Sequence, residues 1–229
     1  WSEVSARQVA YAEPGGEPEL RRAVADFLSA RRGVACTAEQ VFIFPGGQAA
    51  LDACARLLAD SGDTVWLEDP CYTAGRNAML AAGLKAVPVR VDEDGLVPDD
   101  ALWRASPPRL VYVTPSHQYP LGSVLSLERR LHLLNLVEAS GGWLIEDDYG
   151  SDFYPARPGS RPLPATQGLR PDAPVVYVGT FSKLLYPGLR IAYLVVPRWA
   201  VADIGEAIHN LYRGGQAVDC FAGSGLVQR

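Results

Sequence analysis

Hydrophobic and polar positions alternate with two different periods along the chain, and the switch between them marks its elements. The segment EPELRRAVADFLSARRG places Leu20, Val24, Phe27 and Leu28 at helical spacing, with Pro18 in the first turn and Gly33 just past the end. That pattern predicts an amphipathic helix ending on a left-handed residue. A short apolar run, VFIF (41–44), then leads through Pro45-Gly46-Gly47 into the amphipathic QAALDACARLLA, which reads as strand, tight turn and helix. TVWLE (64–68) is a second strand, followed by a helix through about residue 82 and the strand AVPVRV (86–91). RLVYVT (109–114), GWLIEDD (142–148), VVYVGT (175–180) and RIAYLVV (190–196) are further strands, and LERRLHLLNLVEAS and RWAVADIGEAIHNLYR are helices.

Short apolar strands alternating with helices predict an α/β fold with three layers: a mostly parallel sheet covered by helices on both faces. RIAYLVV follows VVYVGT too closely for a crossover helix, so that pair is expected to be antiparallel. The long irregular stretch 152–174, rich in Pro, Gly and Arg, is of a length usually tied to function or mobility. An N-terminal segment is expected over 1–16, a large domain over 17–197, and from 198 to 229 the start of a connection to a small C-terminal domain that is largely missing. The start at Trp1 and the end in GSGLVQR point to a piece of a longer protein.

Composition narrows the function classes. The 229 residues are 48% hydrophobic and 21% charged, with a net charge of −5, ordinary for a soluble globular chain. No basic run tracks a phosphate backbone, so DNA contact is expected only through a domain absent from this chain. No stretch is apolar for the length of a membrane span. Cys36, Cys54, Cys71 and Cys220 are scattered, without metal-site spacing; they fit thiols in a reducing cytoplasm, and no metal site is expected.

In open α/β sheets ligands collect beyond the carboxyl ends of the strands. Five predicted strands end in donor or reactive residues: Gly46-Gly47-Gln48, Glu68 to Tyr72, Thr114 to Gln118, Asp147 to Tyr149, and Thr180 to Lys183. A Gly-Gly before a helix is either a plain turn or an anion cradle of backbone N–H groups. Asp147 and Asp148 are surface carboxylates, a cap, a metal pair, or partners of a cation such as a protonated heterocyclic nitrogen. Tyr72 packs or stacks. Arg190, read as lying on an apolar strand, calls for an anion, and a phosphate suits it bidentately. A socket for pyridoxal phosphate accommodates all of these at once, with Lys183 as the amine that condenses with the aldehyde.

Ser182 to Ile191 read S-K-x-x-x-P-G-L-R-I, and this stretch resembles the signature of the fold-type-I pyridoxal-phosphate enzymes, the aspartate-aminotransferase superfamily. With YAEPGGEPELRRAVADFL, EDPCY, TPSHQYPLG and IEDDYGSDF added, the chain looks like the aminotransferase-like domain of MocR-type regulators in the GntR family. The resemblance runs from about Tyr11 to Pro197.

The resemblance implies pyridoxal 5'-phosphate held as an internal aldimine on Lys183. Asp147 pairs with the ring nitrogen, Tyr149 with the phenolic oxygen, and Tyr72 stacks on the ring. Gly46, Gly47, Gln48, Thr180, Ser182 and Arg190 hold the phosphate. Tyr11 reaches the phosphate of a partner subunit, which makes a homodimer the expected assembly. Lys183, Asp147 and Tyr149 are the expected catalytic set. Tyr119 stands where many aminotransferases carry an asparagine, which leaves His117 or Gln118 as candidate ring contacts. The resemblance implies either the sensing domain of a regulator, taking an amino acid or cofactor-derived effector, or a free-standing aminotransferase acting on an amino acid and a 2-oxo acid. No residue here can be assigned the grip on a substrate carboxylate.

Overall fold

The computed structural model describes residues 13–151, 163–184 and 186–212. Its described strands form one eight-stranded sheet in the order β1-β8-β7-β6-β5-β2-β3-β4. These are β1 (Val41–Phe44), β2 (Thr64–Asp69), β3 (Lys85–Asp92), β4 (Gly95–Leu96), β5 (Leu110–Val113), β6 (Trp143–Asp148), β7 (Val175–Thr180) and β8 (Ala192–Val195). The pairs β2/β3, β2/β5, β5/β6 and β6/β7 are parallel. As expected β7/β8 is antiparallel; β1/β8 and the short β3/β4 pair are as well.

Helices cover both faces. The side chains of β1, β2, β5, β6, β7 and β8 that point to one face join one apolar cluster with α2 (Gly47–Leu58), α3 (Thr73–Ala81) and α7 (Val201–Tyr212). Those on the other face divide into two clusters. Val41, Ile43, Tyr177 and Tyr193 meet Leu20, Val24 and Leu28 of α1 (Pro18–Arg32). Trp66, Val111 and Leu144 meet Trp103 of α4 (Asp100–Ala105) and Leu133, Leu134 and Val137 of α5 (Leu127–Ser140). Strand alternation thus sorts each residue to its layer.

Local signals explain most boundaries. Pro18 sits in the first turn of α1, and Gly33, at φ 65°, closes it by donating its N–H to Leu28 O, the left-handed stop only glycine adopts freely. Asp99 caps α4 by accepting from the N–H groups of Ala101 and Leu102. Pro88 is tolerated inside β3 because the outer side of that strand is paired only at Val91 and Asp92. The four-residue α6 (Thr166–Leu169) had no local signal. Its first N–H groups, on Thr166 and Gln167, are capped by Glu146 of β6, twenty residues away.

Candidate functional site

Because β8 is antiparallel to both neighbours, β1 and β7 point the same way, and Phe44, Ala192 and Thr180 lie side by side at one edge. The ends of β2, β5 and β6 share that edge through the parallel pairings. The chain therefore brings Gly46 and the Arg190 guanidinium together, with Ser182 and Lys183 following β7 at the same edge.

Gly46 lies close against Arg190. Its φ of 99° is open to glycine alone, and a Cβ there would lie 2.6 Å from Nη2 of Arg190. A Cβ on Gly47 would meet nothing within 4 Å. The first turn of α2 carries no side-chain cap, so its N–H groups face that space beside a guanidinium, at the positive end of a helix. Gln48 donates a side-chain amide N–H to Ala74 O (2.9 Å). Arg190 corrects one expectation. It is not on the strand, which starts at Ala192, but precedes it in a left-handed conformation (φ 51°, ψ 36°) and is exposed. The 3₁₀ turn Pro187–Leu189 and this left-handed residue aim the guanidinium back across Gly46. Thr180 Oγ1 and Ser182 Oγ lie 3.0 Å apart at the end of β7.

Adjacent carboxylates on β6 have opposite fates. Asp148 faces α1, where it accepts from Arg32 Nε (2.8 Å), Tyr177 Oη (2.8 Å) and both Ser151 N and Oγ. Asp147 faces α2 and α3, is buried, and accepts a hydrogen bond from Tyr112 Oη (2.7 Å). Burial pushes its carboxyl up to about 7; the Tyr112 bond works the other way, and Asp148 pushes it further up. Among the described residues no cation pairs with it. Tyr112 is a residue the sequence reading passed over. Its hydroxyl fits because α3 carries Gly75 beside it, where a Cβ would be 2.5 Å from the oxygen. Nothing along the chain links positions 75, 112 and 147 before the strands are paired.

Aromatic side chains wall the site. Tyr72, next to the start of α3, meets Tyr119 edge to face at 5.6 Å and 81°. Tyr119 in turn meets Tyr149 at 6.1 Å, and Tyr149 meets His117 at 6.3 Å. Tyr149, Thr180 and Lys183 border one cleft with Phe27 and Ser151, and Lys183 is exposed there. Gln118 is a second correction. It is buried, its amide donates to Pro70 O, Tyr119 O and Glu68 Oε2, and it accepts from Leu121 N. It is spent on the loops and does not line the site as a ring contact. Tyr11 and Cys220 lie outside the described residues.

An open, mostly parallel sheet with helices on both faces, and with a buried carboxyl and a lysine at its carboxyl edge, is the large-domain fold of the aminotransferases. The backbone superposes on an archaeal alanine:glyoxylate aminotransferase with a TM-score of 0.89 at 27% identity, over 100% of this chain and 57% of that one. The α-aminoadipate aminotransferase LysN of Thermus thermophilus, solved with N-(5'-phosphopyridoxyl)-L-leucine, gives 0.84 at 30% identity, over 100% and 58%. Residues 7–218 match the family described as aminotransferase class I and II, and the chain belongs to it. The chain is also 46% identical over 195 residues to the probable rhizopine catabolism regulatory protein MocR of Rhizobium meliloti. That match covers 85% of this chain but 38% of the regulator's length. The likeness to MocR-type regulators read from TPSHQYPLG and IEDDYGSDF is borne out.

Proposed function

We propose that this chain binds pyridoxal 5'-phosphate at the carboxyl edge of its sheet and serves as the effector-sensing part of a MocR/GntR-type transcriptional regulator. The observation that carries the cofactor reading is Asp147: a buried carboxyl pushed up to about 7, with no cation beside it among the described residues. A protonated ring nitrogen supplies the missing positive charge. The Gly46–Arg190 contact at the start of α2 fits the phosphate of the same molecule.

When bound, the cofactor supplies an aldehyde for an amine and an electron sink for the bond broken at an amino acid's α-carbon. The protein does the rest. Gly47 and Gln48 would offer backbone N–H groups to the phosphate, Gly46 leaves room beside them for the Arg190 guanidinium, and Thr180, Ser182 and Arg190 would complete the cradle. Asp147 would pair in its ionised form with the ring nitrogen, Tyr72 would stack on the ring and Tyr149 would hold the phenolic oxygen. Lys183 is the amine nucleophile. With an amino acid bound, its Nζ would be the base placed to move the α-proton. In a cytoplasmic homodimer, with Tyr11 reaching the partner's phosphate, binding of an amino acid or cofactor-derived effector shifts an equilibrium that a separate DNA-binding domain reads out.

The similarity to MocR favours sensing. A second reading, a free-standing aminotransferase, is favoured by 34% identity over 216 residues to the 2-aminoadipate transaminase of Thermus thermophilus. The test is a visible absorbance titration of the full-length protein with pyridoxal phosphate, wild type against Lys183→Ala. A band that depends on Lys183 is expected, and its absence in the wild type refutes both readings. Amino acids added singly then shift the band without 2-oxo acid product in a sensor, and with product in a transaminase.

A further inference from the structure

Tyr72 and Tyr119 stand 37% and 44% exposed, so little packing of their own holds them. Their positions depend on the backbone that carries them, and that backbone is tied from below. Gln118 is 1% exposed and its side-chain amide donates to Pro70 O (2.7 Å), two residues before Tyr72, and to Tyr119 O (2.8 Å). Its Oε1 accepts from Leu121 N (2.9 Å). One side chain thus joins the exit of β2 to the turn after β5.

Glu68 anchors the same joint. At 2% exposure, its Oε2 accepts from Thr114 Oγ1 (2.6 Å), Thr114 N (3.2 Å) and Gln118 Nε2 (3.3 Å). Thr114 Oγ1 also accepts from Tyr119 N (3.1 Å). The other oxygen, Oε1, is buried without a hydrogen-bond partner among the described residues. A carboxyl left half-satisfied in the interior is a poor choice for stability alone. Burial pushes it up to about 7; its hydrogen bonds from Thr114 and Gln118 work the other way, and Asp147 adds to the rise. The joint and the floor of the site therefore share one electrostatic environment.

We propose that Gln118 and Glu68 form a brace that holds Tyr72 and Tyr119 as a single aromatic wall, making them positioning residues for the cofactor ring. An apolar side chain at 118 fills the volume but removes the links to two carbonyls and an N–H in a part-buried joint, so the two loops separate. The edge-to-face contact between the tyrosines is lost with them. The brace rests on the cofactor reading above.

The test uses the full-length protein, loaded with pyridoxal phosphate, as wild type, Gln118→Leu and the conservative Glu68→Gln. Two quantities are read: the dissociation constant from a spectral titration, and the visible circular dichroism per bound cofactor. The dichroism depends on a fixed, asymmetric ring setting, which a loss of global stability alone does not move. Gln118→Leu is expected to bind at least about tenfold more weakly, with its dichroism reduced to about half or less, while Glu68→Gln, which keeps an acceptor for Thr114, stays within about threefold of wild type. If Gln118→Leu does not fold, Thr114→Val carries the test by the same dichroism criterion, since it removes both Oγ1 bonds. A wild type lacking the Lys183-dependent band overturns the brace and the cofactor reading together. A wild type that has the band, beside a folded variant with unchanged affinity and dichroism, overturns the brace alone.

Discussion

Gly75→Ala tests the floor of the site through a residue that carries no chemistry. In the first turns of α3, replacing glycine by alanine favours the helix by about 1 kcal/mol. Here the new Cβ would lie 2.5 Å from Tyr112 Oη, 2.7 Å from Cζ and 2.9 Å from Cε1. Tyr112 is fully buried on β5 and cannot turn outward. To reach ordinary contact its ring must shift by about 1 Å, which takes the 2.7 Å bond to Asp147 beyond hydrogen-bond range. Overpacking costs about 1–3 kcal/mol, and leaving a buried carboxyl without its donor costs about 1–3 kcal/mol more. Set against the helix gain, the net loss is about 3 kcal/mol. Urea unfolding of the cofactor-free protein measures it through the midpoint at constant slope. Tyr112→Phe completes a double-mutant cycle. Because Gly75→Ala has already broken the hydroxyl bond, Tyr112→Phe costs at least about 1 kcal/mol less in that background than in wild type. A Gly75→Ala protein as stable as wild type, or strictly additive effects, refutes the placement of the hydroxyl against both Gly75 and Asp147.

Two further outcomes follow from the same site. Asp147 has its folded pKa raised from 3.8 to about 7, so the stability tied to its neutral form is full below about pH 4 and is lost as the pH rises through about 7. In the cofactor-free protein Asp147→Asn removes that loss, and at pH 8 it is more stable than wild type by a margin of about 2–4 kcal/mol in urea unfolding; equal stability at pH 8 refutes the raised carboxyl. Gly46→Ala forces a Cβ onto the Arg190 guanidinium at a φ of 99°. Inorganic phosphate, followed by its protection of the fold against heat, is expected to lose at least about tenfold in affinity, and unchanged protection contradicts the cradle.

Much of the candidate site was legible before the strands were paired. Gly46-Gly47 before an amphipathic helix, Lys183 after an apolar run and Arg190 seven residues later all announce themselves locally, since turn chemistry and strand ends leave short-range marks. Gln118 misled for a physical reason. A polar residue after a strand reads as a site donor, and only the packed loops show two carbonyls and an N–H waiting for it. Arg190 was placed on a strand because its neighbours are apolar; the left-handed turn that takes it off leaves no mark in hydrophobicity. Helix α6 was missed because its cap is Glu146, on another element.

By itself the sequence determined the periods, hence the layers, the helices and most of the strands, and it determined which chemistry each strand end can offer. Those properties follow from residues within a few positions of one another. The tertiary structure decided which of two neighbouring carboxyls is paired with Arg32 and which is buried against Tyr112. It also decided that Gly75 makes room for Tyr112, and that the Gln118 amide is bonded to the carbonyls of Pro70 and Tyr119. Each depends on contacts between segments far apart in the chain, whose energies exist only once the sheet has set its order and register.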